Sequence, residues 1–338
     1  MTRSRPFLVA LAGEALFGSF FDAARRSRLS RLYRWRRTGA RSLTPAVRSL
    51  LAQADALLTT WDSPRFDASL PESAPRLRLV AHCGGEVKGR FARPLFERLT
   101  ITNAAAPMAP YVAELAVALL LHSARNLEAY REALRRPSNR VYTRLHTRGA
   151  GDETLRGRRV GLVGFGRIGQ AVAELLRPFG VRLLVHDPYA SRAQVRRHGA
   201  DLAPLRRVLA ASPFLVLATA LTDETRGMID ARALARLPDG ATVINVARGG
   251  LLDLDALTRE VGRGRLRCAL DVTDPLEPLP LRHPLRRARG AVLTPHVGSA
   301  QAAVRRQMAD VVLDDLERFA SGRPVRNRVT TAMLERMS

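Results

Sequence analysis

The sequence predicts an α/β protein with a doubly wound parallel sheet and a second, smaller domain. Three observations support this prediction. A strand–turn–helix–strand pattern containing three glycines runs from Arg158 to Pro188. Apolar, strand-like runs alternate with helical patterns on both sides of it, and such alternation indicates parallel sheets. The length of 338 residues suits two domains of usual size.

The glycine-containing segment has the layout of a dinucleotide site. A β-branched run at 160–163 leads into Gly164, Gly166 and Gly169, and a helical pattern follows at 170–176. We expect Gly164 to permit a tight turn, Gly166 to let the backbone approach a pyrophosphate, and Gly169 to allow close helix–strand packing. The helix N-terminus would then face the phosphates with unpaired amides and partial positive charge.

Asp187 follows the next apolar run, 181–185, and lies 18 residues beyond Gly169. A carboxylate at the end of that strand can accept hydrogen bonds from a ribose diol and repel a 2′-phosphate. The segment therefore predicts a Rossmann-type domain that binds NAD rather than NADP. A glycine cluster that serves packing alone stays open at this point, because a fold does not determine its ligand.

The residues before this segment predict a smaller parallel sheet. Strand patterns are present at 7–11, 56–60, 77–81 and 100–103, with helical patterns at 44–54 and 95–98. Thr44 and Pro45 are residue types that begin helices. The longest helical pattern, from Pro110 to Arg135, is predicted to connect the two domains, and 137–152 is predicted to be a loop.

The nucleotide domain continues after Asp187 to about residue 299. Strands are predicted at 214–218, 242–246, 266–272 and 291–293, helices at 230–237 and 253–261, and a closing amphipathic helix at 301–321. Ligands of open parallel sheets bind at the carboxyl ends of the strands. Residues that follow the last three strands are therefore candidates for chemistry.

Three suited side chains occupy those positions, namely Arg248, Glu277 and His296. An arginine holds a carboxylate through two parallel hydrogen bonds, and a histidine gives or takes a proton near neutral pH. A carboxylate beside the histidine fixes its tautomer. Together the three residues predict hydride transfer to a 2-keto acid, with His296 as acid/base and Glu277 as its partner.

The formal charge of +24 suggests nucleic acid as a partner, but its source argues against it. All but one of the 55 basic residues are arginine, the exception being Lys88, and they are spread along the chain. The densest run, Arg25–Arg37, is interpreted first as a solvated helix face, with an anionic partner as the alternative. Nucleic-acid binding is therefore not expected.

Cys83 and Cys268 have neither metal-ligand spacing nor a disulfide framework, so no metal is predicted and both thiols are expected to be reduced. The apolar run at 7–12 is interrupted by Glu14 and is interpreted as a strand rather than a secretion signal. No stretch approaches the roughly 20 apolar residues of a membrane span. A cytoplasmic protein without a membrane partner is predicted.

The chain resembles the D-isomer-specific 2-hydroxyacid dehydrogenases over essentially its full length, most closely from Leu77 to His296. The matching segments are GFGRIG at 164–169, LTDETRG at 221–227, NVARG at 245–249, ALDV at 269–272, EP at 277–278 and TPH at 294–296. Their joint order is highly specific. The resemblance implies a catalytic trio of Arg248 for the substrate carboxylate and carbonyl, Glu277 as the partner of the histidine, and His296 as acid/base.

The resemblance also implies the remaining organisation. A flavodoxin-like substrate domain is built from both chain ends, 1–109 and 300–338, and the NAD-binding domain, 110–299, includes the connecting helix. Homodimers are expected through that helix, with a small 2-keto or 2-hydroxy acid as substrate. Asp271 is placed near the nicotinamide carboxamide, and the other residues lining the cofactor are Arg167, Ile168, Thr219, Val246, Ala247 and Gly298.

The substrate loop departs from the family pattern of Gly-x-Gly-x-Asp, because it consists of Gly84, Gly85, Glu86, Val87 and Lys88. Glu86 would disfavour a second anionic group on the substrate, whereas Lys88 would favour one. Glyoxylate, hydroxypyruvate, a phosphorylated acid and a bulky keto acid therefore stay open, as does the direction of the reaction. His82, beside the loop, is predicted to be structural.

Two functions of other classes stay open as well, a non-catalytic NAD-sensing interaction protein and a nucleic-acid-binding protein, the second suggested only by the charge. A non-catalytic, NAD-sensing interaction protein on the same scaffold is the main alternative, and the complete trio argues against it. Formate- or phosphite-type oxidation is a lesser possibility within the enzymes. Turnover by the purified protein separates these readings.

Overall fold

The computed structural model describes residues 5–39, 41–135, 139–149 and 154–337. The chain divides into two units, one formed by Met1–Met108 with Ser299–Ser338 and the other by Ala109–Gly298. The first unit has an apolar core of its own, and two apolar clusters make up the core of the second.

The first unit is built on a five-stranded sheet in which every pairing is parallel. Its strands are β1 (Phe7–Leu11), β2 (Arg34–Thr38), β3 (Ala56–Thr59), β4 (Leu79–His82) and β5 (Thr100–Asn103). The strand order β2-β1-β3-β4-β5 is that of flavodoxin-like proteins. The central strands β3 and β4 are buried along their whole length, as their continuous apolar runs predict.

Five helices of this unit precede residue 100, namely α1 (Glu14–Phe20), α2 (Ala23–Leu32), α3 (Pro45–Ala52), α4 (Leu70–Ser73) and α5 (Leu95–Arg98). Helix α3 begins as its residue types predict. The Thr44 side chain accepts a hydrogen bond from the Val47 amide, and Pro45 occupies the first turn.

The second unit contains a seven-stranded parallel sheet. Its strands are β6 (Arg159–Val163), β7 (Arg182–His186), β8 (Ala200–Leu202), β9 (Phe214–Leu217), β10 (Thr242–Asn245), β11 (Arg267–Leu270) and β12 (Ala291–Leu293). Their order is β12-β11-β10-β9-β6-β7-β8, so the sheet is wound in both directions from β6. This order confirms the predicted Rossmann-type fold.

Most helices of the second unit cover the two faces of this sheet, whereas the last two before β6 bury no residue. The helices of this unit are α6 (Met108–Ala124), α7 (Leu127–Leu134), α8 (Asn139–Arg148), α9 (Arg167–Leu176), α10 (Arg192–Arg197), α11 (Leu205–Ala211), α12 (Ala231–Ala235) and α13 (Leu254–Gly262). Helix α9 begins three residues before the predicted start at Gln170, and this places the whole first turn beside the glycines.

Two predictions between residues 110 and 152 are wrong. The single helix from Pro110 to Arg135 is interrupted, because Asn126 adopts a left-handed backbone conformation (φ 47°) that asparagine tolerates and that no α-helix contains. The predicted loop 137–152 contains α8, a helix with no buried residue and therefore with a weak apolar signal. Residues 137–138 and 150–152 of that prediction lie outside the described residues.

Helices α14 (Ala302–Ala320) and α15 (Thr331–Leu334) return the chain to the first unit. The interpretation of Arg25–Arg37 as one solvated helix face is wrong, since α2 ends at Leu32 and the edge strand β2 follows. Arg25 forms an ion pair with Asp310 at 2.6 Å, and Arg28 pairs with two further carboxylates of α14, Asp314 and Glu317. These arginines hold α2 against α14.

Both cysteines are free and buried, and burial raises the pKa of the Cys268 thiol to about 12. A thiol of that kind is inert because the thiolate is the reactive form. Within the described ranges, no group of three or more His, Cys, Asp and Glu residues could hold a metal ion. In the same part of the chain no helix combines the length and the hydropathy needed to cross a membrane.

Candidate active site

The glycine loop after β6 is shaped by two close backbone contacts. Gly164 has a φ of 96°, and a Cβ atom there would lie 2.5 Å from the Thr219 amide nitrogen. A Cβ atom at Gly169 would lie 2.2 Å from the Gly164 carbonyl oxygen. Both positions therefore require glycine, the first for the turn and the second for the packing of α9 against the loop.

Gly166 differs from these two glycines, because a Cβ atom there would meet no atom of the described residues within 4 Å. It is the N-cap of α9 and supplies no side-chain cap, so the first turn keeps its amide groups for another acceptor. Arg167 is exposed and Ile168 half-buried in that turn. Open space before a helix N-terminus that carries partial positive charge fits the pyrophosphate of a dinucleotide.

Asp187 is held beside the glycine loop just after β7. Its Oδ2 accepts a hydrogen bond from the Phe165 amide at 2.6 Å, and its Oδ1 accepts one from the Tyr189 amide at 2.8 Å. Each carboxylate oxygen has a second lone pair, which a ribose hydroxyl can use. Thr219, after β9, contacts Gly164, so the residues predicted for the ribose and the phosphates surround one loop.

Glu277 and His296 are brought together by the loops around β12. The His296 Nδ1 lies 2.7 Å from the Glu277 Oε1, and both side chains are partly exposed. Because an ionised carboxylate only accepts hydrogen bonds, Nδ1 carries the proton of the neutral ring. The Nε2 atom is then the ring nitrogen that can accept a proton.

Asp271, at the end of β11, organises the turn that carries His296. This carboxylate is 2 % exposed and accepts three hydrogen bonds. Its Oδ1 accepts from the Thr294 hydroxyl at 2.6 Å and from the Val297 amide at 2.8 Å, and its Oδ2 accepts from the Gly298 amide at 3.0 Å. The His296 amide donates to the Asp271 carbonyl oxygen at 2.9 Å. The turn is thereby fixed, with His296 in a left-handed conformation (φ 53°).

Arg248 begins the loop after β10 and is half-buried. Its Nη1 donates to the Ala247 carbonyl oxygen at 2.8 Å. The next residue, Gly249, has room for no side chain, since a Cβ atom would lie 2.2 Å from the Thr273 carbonyl carbon. The arginine loop therefore packs directly on the loop that leads to Glu277. Val246 and Ala247, which precede Arg248, are buried.

The substrate loop belongs to the first unit and follows β4. The backbone amides of Gly84, Gly85, Glu86, Val87 and Lys88 have no acceptor among the described residues. Backbone amides without an internal acceptor are available to bind an anion. The Glu86 carboxylate accepts a hydrogen bond from the Gly89 amide at 2.5 Å, so it caps its own loop, while Lys88 is exposed.

His82, the last residue of β4, packs against Gly84 of this loop. The imidazole is fully buried, its Nδ1 lies 2.9 Å from the Thr59 hydroxyl, and a Cβ atom at Gly84 would lie 2.2 Å from its Nε2. Burial, together with the charge of Arg90, lowers its pKa to about 3. His82 is therefore a neutral packing residue at physiological pH.

The structure brings Glu277 and His296 together, but sequence reasoning missed the residues that hold the loops around them. Asp271 was expected only beside the cofactor, yet its carboxylate fixes the His296 turn. Asn245, at the end of β10, was noted only as part of a matching segment, although its side chain bonds the turn before Arg248. A polar residue that ends an apolar strand was the signal available in the sequence.

Comparison with known proteins adds independent information. A profile described as "D-isomer specific 2-hydroxyacid dehydrogenase, NAD binding domain" matches residues 117–298. A D-3-phosphoglycerate dehydrogenase of Mycobacterium bovis is 34 % identical over 278 residues, 80 % of this chain and 50 % of that protein. The chain therefore spans half the length of this relative.

A shorter relative is covered more completely. A glyoxylate reductase of Aeropyrum pernix is 32 % identical over 299 residues, 86 % of this chain and 88 % of that protein. Among solved structures, the TT0316 protein of Thermus thermophilus superposes with a TM-score of 0.78 at 29 % identity, covering 96 % of this chain and 100 % of its own.

Proposed function

The chain belongs to the D-isomer specific 2-hydroxyacid dehydrogenase family, and from this premise we propose that it transfers a hydride between NAD(H) and a 2-hydroxy or 2-keto acid of the D series. The observation that carries the proposal is the 2.7 Å pair of His296 and Glu277 on the same sheet edge as the glycine loop. A cofactor site alone would also suit the non-catalytic alternative. A histidine whose tautomer is fixed by a carboxylate is instead suited to proton transfer.

In the reductive direction, one keto acid, one NADH and one proton give one hydroxy acid and NAD⁺. The bound cofactor supplies the hydride to the keto carbon. The His296 Nε2 gives its proton to the carbonyl oxygen, and the Glu277 carboxylate stabilises the imidazolium that holds this proton. Arg248 binds the substrate carboxylate and polarises the carbonyl group, which is the task of a planar, bidentate donor.

The residues around the glycine loop support NAD as the cofactor. Gly164, Gly166 and Gly169 would hold the pyrophosphate at the α9 N-terminus, and Asp187 would bind the ribose hydroxyls. Asp271 and Gly298 would lie at the nicotinamide end, and the cofactor would also be lined by Arg167, Ile168, Thr219, Val246 and Ala247. A carboxylate at position 187 repels a 2′-phosphate, so we expect NADH to be preferred over NADPH.

The substrate loop of the first unit, with Gly84, Gly85 and Lys88, is a further part of this proposal, because its backbone amides have no acceptor among the described residues. The Glu86 carboxylate bonds the Gly89 amide of its own loop, and the exposed Lys88 adds a positive charge that favours acidic substrates. Phosphorylated and dicarboxylic acids therefore join glyoxylate and hydroxypyruvate in the set to be tested.

We propose in addition that the protein is a homodimer whose subunits meet at α7 and α8. Neither helix buries a residue within the chain, and Leu127, Leu134 and Tyr142 are 50 to 59 % exposed. A second copy would cover these apolar side chains. Light scattering at several protein concentrations checks this. A cytoplasmic location stays a prediction, consistent with two thiols that form no disulfide.

The test of the function is NADH consumption by the purified protein with small, phosphorylated, dicarboxylic and bulky 2-keto acids, with NADPH in parallel. Arg248→Ala should lower kcat/KM for the best acid at least ~100-fold, because it removes a charged contact to the substrate. Arg259→Ala, an exposed arginine on α13, is the matched control and should change it less than about twofold. NADH binding without turnover of any acid would refute the proposal.

A further inference from the structure

The turn that presents Arg248 is closed by one buried polar side chain. Asn245 is the last residue of β10, between β9 and β11, and it is fully buried. The rest of the strand is apolar or small, as a central strand requires. Burying a side-chain amide here costs folding free energy unless its polar atoms are hydrogen-bonded. The partners of the Asn245 side chain therefore indicate its role.

Both polar atoms of the Asn245 side chain bind the turn that follows, at Ala247 and Arg248. The Oδ1 atom accepts a hydrogen bond from the Ala247 amide at 3.0 Å, and Nδ2 donates to the Arg248 carbonyl oxygen at 2.9 Å. The carbonyl oxygen of Ala247 in turn accepts from the Arg248 guanidinium at 2.8 Å. Asn245 therefore orients the residue on which the guanidinium rests, as well as the carbonyl group of Arg248 itself.

The main chain of Asn245 makes a second connection. Its carbonyl oxygen accepts a hydrogen bond from the Asp271 amide at 2.9 Å. Asp271 holds the turn of His296 through its carboxylate, as described above. One residue thus joins the loop of Arg248 to the strand end that organises His296.

We propose that Asn245 is a positioning residue for Arg248, acting mainly on the substrate side of the reaction; this role rests on the proposed function. A displacement of about 1 Å in a group that binds the reacting substrate lowers turnover by up to ~100-fold. Loss of the Asn245 side chain should therefore lower kcat/KM for the keto acid about 10- to 100-fold. The KM for NADH should rise by a smaller factor than that by which kcat/KM for the keto acid falls.

Two variants test this role, and a third is the control. Asn245→Ala removes both hydrogen bonds, whereas Asn245→Asp keeps the acceptor for Ala247 and places an oxygen against the Arg248 carbonyl group. Ile244→Val, one residue earlier in β10, removes a buried methyl group and leaves the turn intact, so its kcat/KM should stay within about twofold of the wild type. Asn245→Asp keeps the test possible if Asn245→Ala does not fold.

A double-mutant cycle separates positioning from general damage. Lysine lacks the planar guanidinium group that Asn245 is proposed to position. In an Arg248→Lys background, Asn245→Ala or Asn245→Asp should therefore lower kcat/KM by less than about a further threefold. Equal losses in both backgrounds, or a parallel loss of NADH affinity, would overturn the role while leaving the function intact. A wild-type protein that turns over no 2-keto acid would instead refute the proposed function, and this role with it.

Discussion

Asp271→Asn is the substitution whose effect follows most directly from the geometry of the active site. The carboxylate is buried and accepts hydrogen bonds from the Thr294 hydroxyl and from the amides of Val297 and Gly298. An asparagine keeps one oxygen. If that oxygen replaces Oδ1, the new amide group faces the Gly298 N–H, so a donor meets a donor.

The magnitude follows from the hydrogen bonds that change. One bond to a charged acceptor is lost, worth about 1.5 to 3 kcal/mol, and the other two become neutral and weaker. Removal of a buried charge recovers part of this cost. We expect a net loss of about 2 to 3 kcal/mol in the free energy of unfolding, which lowers Tm by roughly 3 to 4 °C at this chain length.

The His296 turn should loosen at the same time, and kcat should fall at least ~10-fold. Thermal unfolding followed by circular dichroism and steady-state kinetics measure the two effects. Asp253→Asn is the matched control, because Asp253 caps α13 through a single bond to the Ala256 amide and asparagine caps helices equally well. An Asp271→Asn protein with the Tm and kcat of this control would refute the role assigned to the carboxylate.

Three further predictions concern other parts of the molecule. Glu277→Gln should lower kcat about 10- to 100-fold with the KM for NADH unchanged, because the imidazolium loses its counter-charge; an equal rise in that KM would contradict a role in proton transfer. Gly166→Ala should keep the wild-type Tm and raise the KM for NADH at least ~10-fold, whereas Gly169→Ala should also lower Tm, since its Cβ would lie 2.2 Å from a carbonyl oxygen. His82 has its pKa lowered to about 3 in the folded state, against an ordinary value of 6.5, so its contribution to stability is complete above pH 6.5 and is lost as the pH falls. We therefore expect the free energy of unfolding, measured with urea, to fall as the pH is lowered from about 6 to 4, more steeply in the wild type than in His82→Asn. The two slopes should differ by about 1.4 kcal/mol per pH unit. Equal slopes would show that His82 is protonated in the folded protein.

The fold was predictable because its signals are local. The glycine segment and its flanking strands combine short-range sterics with apolar runs, and the rule that ligands bind at strand ends selected the loops after β10, β11 and β12. Glu277 and His296 are 19 residues apart in sequence, yet the same rule placed both at one sheet edge.

The errors arose where the apolar pattern is weak or where one backbone angle decides the structure. The pattern of α6 and α7 continues through Asn126, and only the left-handed conformation of that residue separates the two helices. Helix α8 has no buried face, and the edge strand β2 is rich in arginine, so neither produces a clear apolar period.

The hydrophobic pattern of the sequence also does not indicate the roles of the residues that support the candidate active site. The roles of Asn245 and Asp271 depend on which amides point toward them, and a sequence does not give the direction of an amide. The same is true of Glu86, whose carboxylate could have faced a substrate but bonds the Gly89 amide of its own loop.

The central claim is most directly tested by following the hydride itself. The protein is incubated with the best 2-keto acid and NADH that carries deuterium at the transferable position, and the product is separated by chiral chromatography with mass detection. We expect the wild type to form a D-2-hydroxy acid with one deuterium at carbon 2, and His296→Ala to form almost none of this product. An L product, a product without deuterium, or an undiminished yield from His296→Ala would contradict this claim.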